Sequence, residues 1–307
     1  MELTKEHLLH CTLLLTGAVL LVFAPDAFLP MLARSFMLWW ACAALVFALW
    51  HTWRCRFWAA LCALLAAGAC VLQVRVPTPS ASVLGCTRDL RVVQLNVLQP
   101  NAHHDEVIAH LLELDADVIA LEEVDDAWAA SLLMGLAERY PHHRIEPRRN
   151  CYGIALFSKR PFVKESTLLV HGSPFLEVIV DVKGTQTRIL AVHAASPGGY
   201  VDFVRRNQQL RWLAHHIALG PGKTVVVGDL NTVHWDDAFS ELCRTGGLRS
   251  LNSPSILTWP SVGPFVLIPL DHVLVSAEGL SGAAGSFRVH GSDHRGLLVD
   301  IVLADAC

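Results

Sequence analysis

The chain has 307 residues, of which 53% are hydrophobic, with a mean hydropathy of +0.41 and a formal net charge of −4. A soluble domain is seldom this apolar, so we expect part of the chain to lie in a membrane. The longest blocks of Lys and Arg are pairs, such as Arg148-Arg149 and Arg205-Arg206. A protein that grips nucleic acid by its phosphates usually carries a denser basic stripe, so the charge pattern argues against that class.

Three runs near the N-terminus contain no Asp, Glu, Lys or Arg: Leu8–Pro25, Ser35–Trp50 and Phe57–Val74. As α-helices they are about long enough to cross a hydrocarbon core of roughly 30 Å, the middle one only with help from flanking residues. We therefore predict a transmembrane segment over residues 1–75, with three helices at about 8–25, 34–52 and 57–74. A cleaved signal peptide and a set of buried core helices are the alternatives, and three consecutive uncharged runs argue against both.

The basic residues that flank these runs favour a cytoplasmic N-terminus. Lys5, Arg54 and Arg56 would lie on one side of the membrane, and Arg34 and Arg75 on the other. Because cytoplasmic loops carry the excess of positive charge, three crossings would place the rest of the chain outside the cytoplasm.

The nine cysteines give no sign of a zinc or thiol-redox motif, because no Cys-x-x-Cys occurs. Five lie in or between the apolar runs, where they are typical small hydrophobic residues. The other four could form a disulfide outside the cytoplasm, in a pairing that the sequence leaves open: Cys86, Cys151, Cys243 and Cys307.

After a Pro- and Ser-rich stretch, predicted to be a linker over residues 76–88, short strands alternate with helices. The predicted helices are Asp105–Leu114, Asp126 to about Glu138, and Val201–Leu219. This mixture predicts a sheet core flanked by helices, and about 220 residues suffice for one sizeable core. The predicted strands are Leu90–Val97, Val118–Leu121, Gly153–Ser158, Thr167–Val170, Leu176–Val182, Thr187–His193, Thr224–Val227, Val266–Val275 and Gly296–Leu303.

Two polar residues among these strands are candidate ligands for a metal ion that acts on a phosphoester. Hydrolysis of a phosphoester needs a cation that neutralises charge, a group that aligns water, and a donor for the leaving oxygen. Mg²⁺ prefers oxygen ligands, and carboxylates together with a side-chain amide can hold it. Glu123 follows one apolar strand and Asn96 interrupts another. Taken alone, a solvated acid and a turn-forming amide are the ordinary interpretations of these residues.

Two short acidic motifs supply the remaining groups. In Gly228-Asp229-Leu230-Asn231, side chains at i and i+2 share a side and can address one phosphate or water. In Gly291-Ser292-Asp293-His294, His294 is the candidate for proton chemistry or phosphate stabilisation, and Asp271 is a candidate to orient its imidazole. His193 ends another predicted strand. Asx turns and structural histidines are the alternatives for these residues taken singly.

Taken in chain order, these motifs resemble the endonuclease/exonuclease/phosphatase superfamily over residues 90–303. The last three motifs are the most specific, and Glu122 stands where the superfamily usually has glutamine. The resemblance implies an α/β (α+β) four-layer sandwich, two β-sheets flanked by helices, in a catalytic domain over residues 89–307. The matching motifs are Gln94-Leu95-Asn96-Val97, Ala120-Leu121-Glu122-Glu123-Val124, Tyr152–Ser158, Ala191-Val192-His193, Gly228–Thr232, Leu270-Asp271-His272 and Gly291–His294.

The resemblance also implies roles in a Mg²⁺-dependent hydrolase, with Mn²⁺ as a possible substitute. Glu123 would bind the metal, helped by Asn96 and Asp293, and Asp229 would align or deprotonate the attacking water. Because no motif position is lost, we expect an active enzyme that hydrolyses ester bonds of phosphate. The remaining roles are phosphate or water binding by Asn231, stabilisation of phosphoryl charge by His294 oriented by Asp271, and assistance at the phosphate or leaving group by His193.

Three spans before such a domain resemble a membrane-anchored bacterial type linked to glycopeptide resistance. This implies a multi-pass protein of the bacterial inner (cell) membrane, with a lipid-carrier phosphate as the suspected substrate class. We therefore expect hydrolysis of a phosphodiester, phosphomonoester or pyrophosphate on a lipid-linked or membrane-proximal substrate, with the bilayer as partner. An apolar loop could form a lip that meets lipid, or could be a packed surface loop: Trp259, Pro260, Val262, Pro264 and Phe265.

Two other functions stay open. An extracytoplasmic endonuclease or exonuclease acting on DNA or RNA is compatible with the fold, but the basic pairs are few. A non-catalytic membrane scaffold could keep the fold without the chemistry, and the intact motif set argues against it.

Overall fold

The structure is a computed structural model that describes residues 5–74, 88–263, 265 and 267–303. The chain divides into two compact units. One contains the N-terminal helices and the short segment Val233–Asp237, and the other contains the strands and the remaining helices. Nearly all of the predicted linker, and also Pro264, Val266, Cys86 and Cys307, lie outside the described residues.

The N-terminal unit contains four helices: α1 Lys5–Phe23, α2 Phe28–Ser35, α3 Met37–Trp53 and α4 Phe57–Val74. In the described part of the chain, α4 alone is long and apolar enough to cross a membrane by itself. The chain bends by 109° between α1 and α2, so these two count together as one broken span at most, and α3 is a shorter apolar helix of 17 residues.

The prediction of three membrane-spanning helices is therefore not supported. The first predicted helix, at about 8–25, ends at the sharp break at residues 24–27, but the pattern of uncharged residues did not reveal the short helix α2 that follows it. Phe36 then separates α2 from α3, which shortens the second apolar run as a helix. The prediction that the rest of the chain lies outside the cytoplasm assumed three crossings, so it is not supported either.

The second unit consists of two mixed six-stranded sheets flanked by helices. The first sheet has the strand order β11-β12-β1-β2-β4-β3, and the second has β5-β6-β7-β8-β10-β9. The helices are α5 His104–Glu113, α6 Asp126–Leu136, α7 Tyr200–Leu219 and α8 Asp237–Gly246. The strands are β1 Leu90–Asn96, β2 Val118–Glu122, β3 His142–Glu146, β4 Ile154–Ser158, β5 Phe162–Val170, β6 Ser173–Val182, β7 Thr185–Ala191, β8 Lys223–Asp229, β9 Leu248–Ser250, β10 Asp271–Ser276, β11 Leu280–Arg288 and β12 Arg295–Leu303.

Three apolar clusters hold these layers together. The central cluster lies between the two sheets and contains side chains from one face of each sheet, for example Val92 of β1 and Val227 of β8. A second cluster joins the other face of the first sheet to α5 and α6, and a third joins the other face of the second sheet to α7. Successive strand residues face opposite sides, so strands buried on both faces become continuous apolar runs such as Val225-Val226-Val227.

Each strand and helix predicted after residue 88 recurs in the structure, with shifted ends. Three strands, β3, β9 and β11, and helix α8 carry weaker signals and were not predicted. β3 is a half-buried, polar edge strand, and β11 is an edge strand rich in Gly, Ser and Ala. The predicted strand Val266–Val275 begins only at Asp271, because Pro269 cannot donate a ladder hydrogen bond just before it.

Candidate active site

Strand parity brings the polar candidates to one end of the crevice between the sheets. Asn96 shares the face of Val92 on β1, Asp229 shares the face of Val227 on β8, and Asp271 shares the face of Val273 on β10. All three side chains are buried. Asp229 and Asp271 are also paired residues of neighbouring antiparallel strands. The apolar core of the sandwich therefore ends in a layer of polar groups.

Asn96 connects the two sheets. Its Nδ2 donates to Oε1 of Glu123 at 3.0 Å and contacts Oδ2 of Asp229 at 3.3 Å, while its Oδ1 accepts from the amide of Leu98 at 3.0 Å. Glu123 reaches this position because its own backbone has a φ of +64°, and the amide of Gln99 donates to its second oxygen at 3.1 Å. The amide of Asn96 thus faces both acids with its NH₂ group.

Carboxylate oxygens near Asn96 have the donor chemistry that suits Mg²⁺. Glu123 offers two oxygens, each already oriented by one hydrogen bond. Asp293 is held through Oδ2 by the indole nitrogen of Trp259 at 3.0 Å, and its Oδ1 is buried with no hydrogen-bond partner among the described residues. An orphaned carboxylate oxygen next to the site fits a hard cation. The metal ligands remain a prediction, and Asn96 would have to turn its amide to join them.

The loop that carries His294 is docked onto Asn96. Ser292 donates from Oγ to the backbone oxygen of Asn96 at 2.7 Å, and the same Oγ accepts from the amide of His294 at 3.0 Å. Nδ1 of His294 then lies 2.9 Å from Oδ2 of Asp271. The imidazole is therefore fixed by its acid, which directs Nε2 toward Asp229 at 3.7 Å.

Opposite charges keep His294 protonated. Burial alone would lower the pKa of His294, but the nearby carboxylates of Asp271 and Asp229 outweigh it and raise that pKa to about 10. Burial would likewise raise the pKa of Asp271, but His294 holds it below its usual range. Burial and the charge of Asp271 raise the pKa of Asp229, so this carboxyl is the more basic of the two.

His193 also lies close to Asp229, with its Nε2 3.7 Å from Oδ2 of that carboxyl. Burial and the positive charge of His294 lower the pKa of His193 to about 3, so its ring is neutral at ordinary pH. Asn231, with a φ of +49°, donates its amide N–H to Oδ1 of Asp229 at 2.9 Å and its Nδ2 to Ala194 O at 3.0 Å. Both residues therefore lie close to Asp229, His193 near Oδ2 and the backbone amide of Asn231 on Oδ1.

Asp229, Asp271 and His294 also offer ligand atoms within 4.8 Å of one another, a spacing that could hold a metal. Both oxygens of Asp271 are already engaged, because Gln94 donates to Oδ1 at 2.6 Å and His294 binds Oδ2. A cation there would also face a protonated His294. These three residues are better explained as a hydrogen-bonded acid–base array than as a metal centre.

Sequence reasoning missed the groups beneath and beside this array. Gln94 donates to Asp271 and also to Glu122 at 2.9 Å, deep between the sheets. The alternation of side chains along a strand could have revealed both residues. Gln94 shares a strand face with Asn96, and Glu122 shares one with Val118. Trp259, which holds Asp293, and Arg206, which donates to the backbone oxygen of Asn231 at 3.1 Å, depend on long-range contacts that no local pattern reveals.

Comparison with known proteins agrees with this architecture. Residues 93–294 match the model of the Endonuclease/Exonuclease/phosphatase family. No match was found among curated proteins. Similar solved structures include humanized D. rerio TDP2 (17% identity, TM-score 0.59, 69% of this chain and 98% of that chain) and human Nocturnin catalytic domain with bound sulfate (19%, 0.57, 71% and 96%). Another is a Staphylococcus aureus beta toxin mutant with bound magnesium ions (16%, 0.55, 70% and 99%).

At these identities the solved structures show a shared fold, and the family model shows more, because it spans about two thirds of the chain and contains every candidate site residue from Asn96 to His294. The chain therefore belongs to the Endonuclease/Exonuclease/phosphatase family.

Proposed function

We propose that the protein is a membrane-anchored, Mg²⁺-dependent phosphoesterase that acts on a lipid-linked or membrane-proximal phosphate. Members of its superfamily are metal-dependent hydrolases of phosphodiester bonds. One observation carries the proposal: Asn96 contacts Glu123 and Asp229, while Asp229 lies 3.7 Å from both His193 and His294. Residues far apart in the chain thus share one polar crevice.

Each group in this crevice has a defined task in the proposed reaction. Asp229 is the most basic carboxyl of the array and is held by the amide of Asn231, so it would align a water molecule and accept its proton. His294, cationic and oriented by Asp271, would stabilise the negative charge that grows on the phosphoryl oxygens. Neutral His193 would serve as a hydrogen-bond partner at the phosphate or leaving group.

Glu123 and Asp293 would hold the Mg²⁺ ion, with Asn96 as a further candidate. When bound, the ion neutralises phosphate charge and stabilises the leaving oxygen. Asn96 fixes the proposed metal ligand Glu123 and the proposed base Asp229 relative to each other across the two sheets.

Two surfaces support membrane association. Helix α4 buries alanines such as Ala59 and Ala63 and exposes leucines such as Leu64 and Leu65, the reverse of a helix in a water-soluble core. Small residues at helix contacts and large apolar residues outside are typical of helices in lipid. In the second unit, Val262 and Phe265 are 62% and 65% exposed, on the loop that also carries Trp259 next to Asp293. The apolar lip therefore lies beside a candidate metal ligand.

The site assignment is tested with purified full-length protein in detergent. With Mg²⁺ it should hydrolyse bis-p-nitrophenyl phosphate or p-nitrophenyl phosphate, and EDTA should abolish the activity. Glu123→Ala and His294→Ala should each lower the rate by at least about 10²-fold. Glu113→Ala, an exposed acid on α5, is the control and should keep full activity. Wild-type rates in both site variants would refute the assignment.

The substrate class is tested on the same preparation with mixed micelles of phospholipids, with undecaprenyl pyrophosphate and with DNA. Release of phosphate or of a headgroup supports the lipid-linked assignment. Nicking of plasmid DNA at physiological salt, without lipid hydrolysis, would instead support a nuclease. No turnover of any substrate, with the fold intact, would support a non-catalytic scaffold.

A further inference from the structure

A second group of potential metal ligands lies outside the catalytic crevice. His103, Glu106 and His290 each offer a ligand atom, and these atoms lie within 4.8 Å of one another. Nδ1 of His103 is 3.1 Å from one oxygen of Glu106, and Nδ1 of His290 is 2.7 Å from the other. The two imidazole rings are stacked, with centroids 3.8 Å apart. Two imidazoles thus converge on one carboxylate.

We propose that His103, Glu106 and His290 form a binding site for Zn²⁺ that is separate from the Mg²⁺ site. Two imidazoles and one carboxylate are a common zinc ligand set when a water molecule occupies the fourth position. Imidazole nitrogen favours late first-row metals, whereas Mg²⁺ prefers a shell of oxygens. The donor chemistry therefore separates this site from that of Glu123 and Asp293.

The spacing of the ligand atoms fits an ion of this size. Two ligands of a tetrahedral Zn²⁺, each at about 2.0–2.2 Å from the metal, lie about 3.3 Å apart. The N···O distances of 3.1 Å and 2.7 Å need only a small opening to reach that value. The two stacked rings, whose centroids are 3.8 Å apart, would also swing apart to about 5 Å so that both Nδ1 lone pairs point at one ion. Hydrogen bonds from His290 and His103 already hold the pKa of Glu106 below its usual range, so the carboxylate is charged. Each imidazole would bind the metal in its neutral form, with the lone pair of Nδ1 toward the ion and the proton on Nε2.

The position of His290 gives the site a consequence for the catalytic loop. Nδ2 of Asn101 donates to the backbone oxygen of His290 at 3.0 Å, and Gly291 packs closely on the same asparagine. Ser292, two residues after His290, is hydrogen-bonded to Asn96. A Zn²⁺ ion bridging His290 to the first turn of α5 would therefore hold the segment that carries Asp293 and His294 in its docked position.

The test measures Zn²⁺ binding to untagged full-length protein in saturating Mg²⁺, by competition with a chromophoric chelator. Wild type should bind one Zn²⁺ that is lost in His290→Gln and His103→Gln. Altering a residue behind a metal ligand typically lowers affinity about 10- to 100-fold, so removing a ligand should cost at least that much. His110→Gln is the matched control, because His110 pairs with Glu113 on the same helix at 3.6 Å but has no second imidazole in its pair.

Hydrogen exchange supplies the second measurement. Zn²⁺ should slow amide exchange in the peptide covering residues 289–294 of wild type but not of His290→Gln. Equal Zn²⁺ affinity in wild type and His290→Gln would overturn the proposal, and so would a loss of binding confined to His110→Gln or Glu123→Gln. Neither measurement depends on turnover of a substrate. The proposed zinc site can therefore be refuted without refuting the proposed phosphoesterase function, and the phosphoesterase function can be refuted without refuting the zinc site.

Discussion

A glutamate with no access to water lies directly beneath the array of Asp229, Asp271 and His294. Glu122 is fully buried, and its Oε2 accepts from Gln94, the same amide that supports Asp271. Burial and the charge of Asp271 raise the pKa of Glu122 well above its usual range. The folded protein therefore retains a proton on this carboxyl at pH values where the unfolded chain releases it, and Glu122 resembles an amide in its hydrogen bonding.

Replacement of Glu122 by Gln should stabilise the protein increasingly as the pH rises. Below the ordinary glutamate pKa both states are protonated, so the substitution is nearly neutral. Above it the wild type loses up to about 1.4 kcal/mol of stability per pH unit until the folded pKa is reached, a loss that Gln avoids. Melting temperatures of both proteins are measured in EDTA from pH 5 to 8. The melting temperature of Glu122→Gln minus that of wild type should increase as the pH rises. The exposed Glu165→Gln should show no such trend, and a constant or negative difference for Glu122→Gln would contradict the prediction.

At the scale of elements, the site depends on how closely two parallel strands approach. Gly228 of β8 has a φ of +146°, and a Cβ built there would lie 1.9 Å from the backbone oxygen of Val192, just beyond β7. Its sequence neighbour Asp229 and the nearby His193 are both site residues. A close backbone approach that only glycine allows is thus present here, and it brings the ends of β7 and β8 together at the crevice.

Gly228→Ala should therefore destabilise the protein by about 3 kcal/mol, from an unfavourable backbone conformation and a clash with main chain that cannot move aside. Gly184→Ala is the matched control, since Gly184 has a φ of +81° with open space around a built Cβ, and it should cost only about 1–2 kcal/mol. Thermal unfolding followed by tryptophan fluorescence compares the two. Equal losses would show that the approach to Val192 is not restrictive.

Local patterns predicted the elements and residues whose signal is concentrated in sequence. Val225-Val226-Val227 is buried on both faces and is recognisable as a strand, and the motif around Asp229 stands out because polar groups end this apolar run. β11 could not be found this way, since its Gly, Ser and Ala residues acquire strand pairing only from β12. The contacts of Trp259 and Arg206 likewise arise from tertiary packing, so no spacing rule reveals them.

At the scale of the whole molecule, the proposed membrane association depends most on α4. It is the one described helix that meets the length and hydropathy of a span unaided, while α1 and α2 could contribute only as a bent pair. The sequence suggested three spans, the middle one only with help from flanking residues, because charge-free runs report composition, whereas spanning also requires an unbroken helix of about 30 Å. The exposed leucines of α4 are therefore the place to test anchoring.

A charge in the middle of α4 should weaken insertion. Leu65 is 57% exposed on that helix, and arginine at the centre of a membrane helix costs about 2.5–3.5 kcal/mol of insertion free energy. Leu65→Arg should lower the fraction of full-length protein that resists alkaline extraction from membranes severalfold. Leu219→Arg alters a more exposed leucine at the end of α7, in the unit that contains the strands, and should leave that fraction unchanged. If the two variants partition alike, α4 does not anchor the chain, and the high effective concentration at the bilayer that favours a lipid-linked substrate over DNA disappears with it.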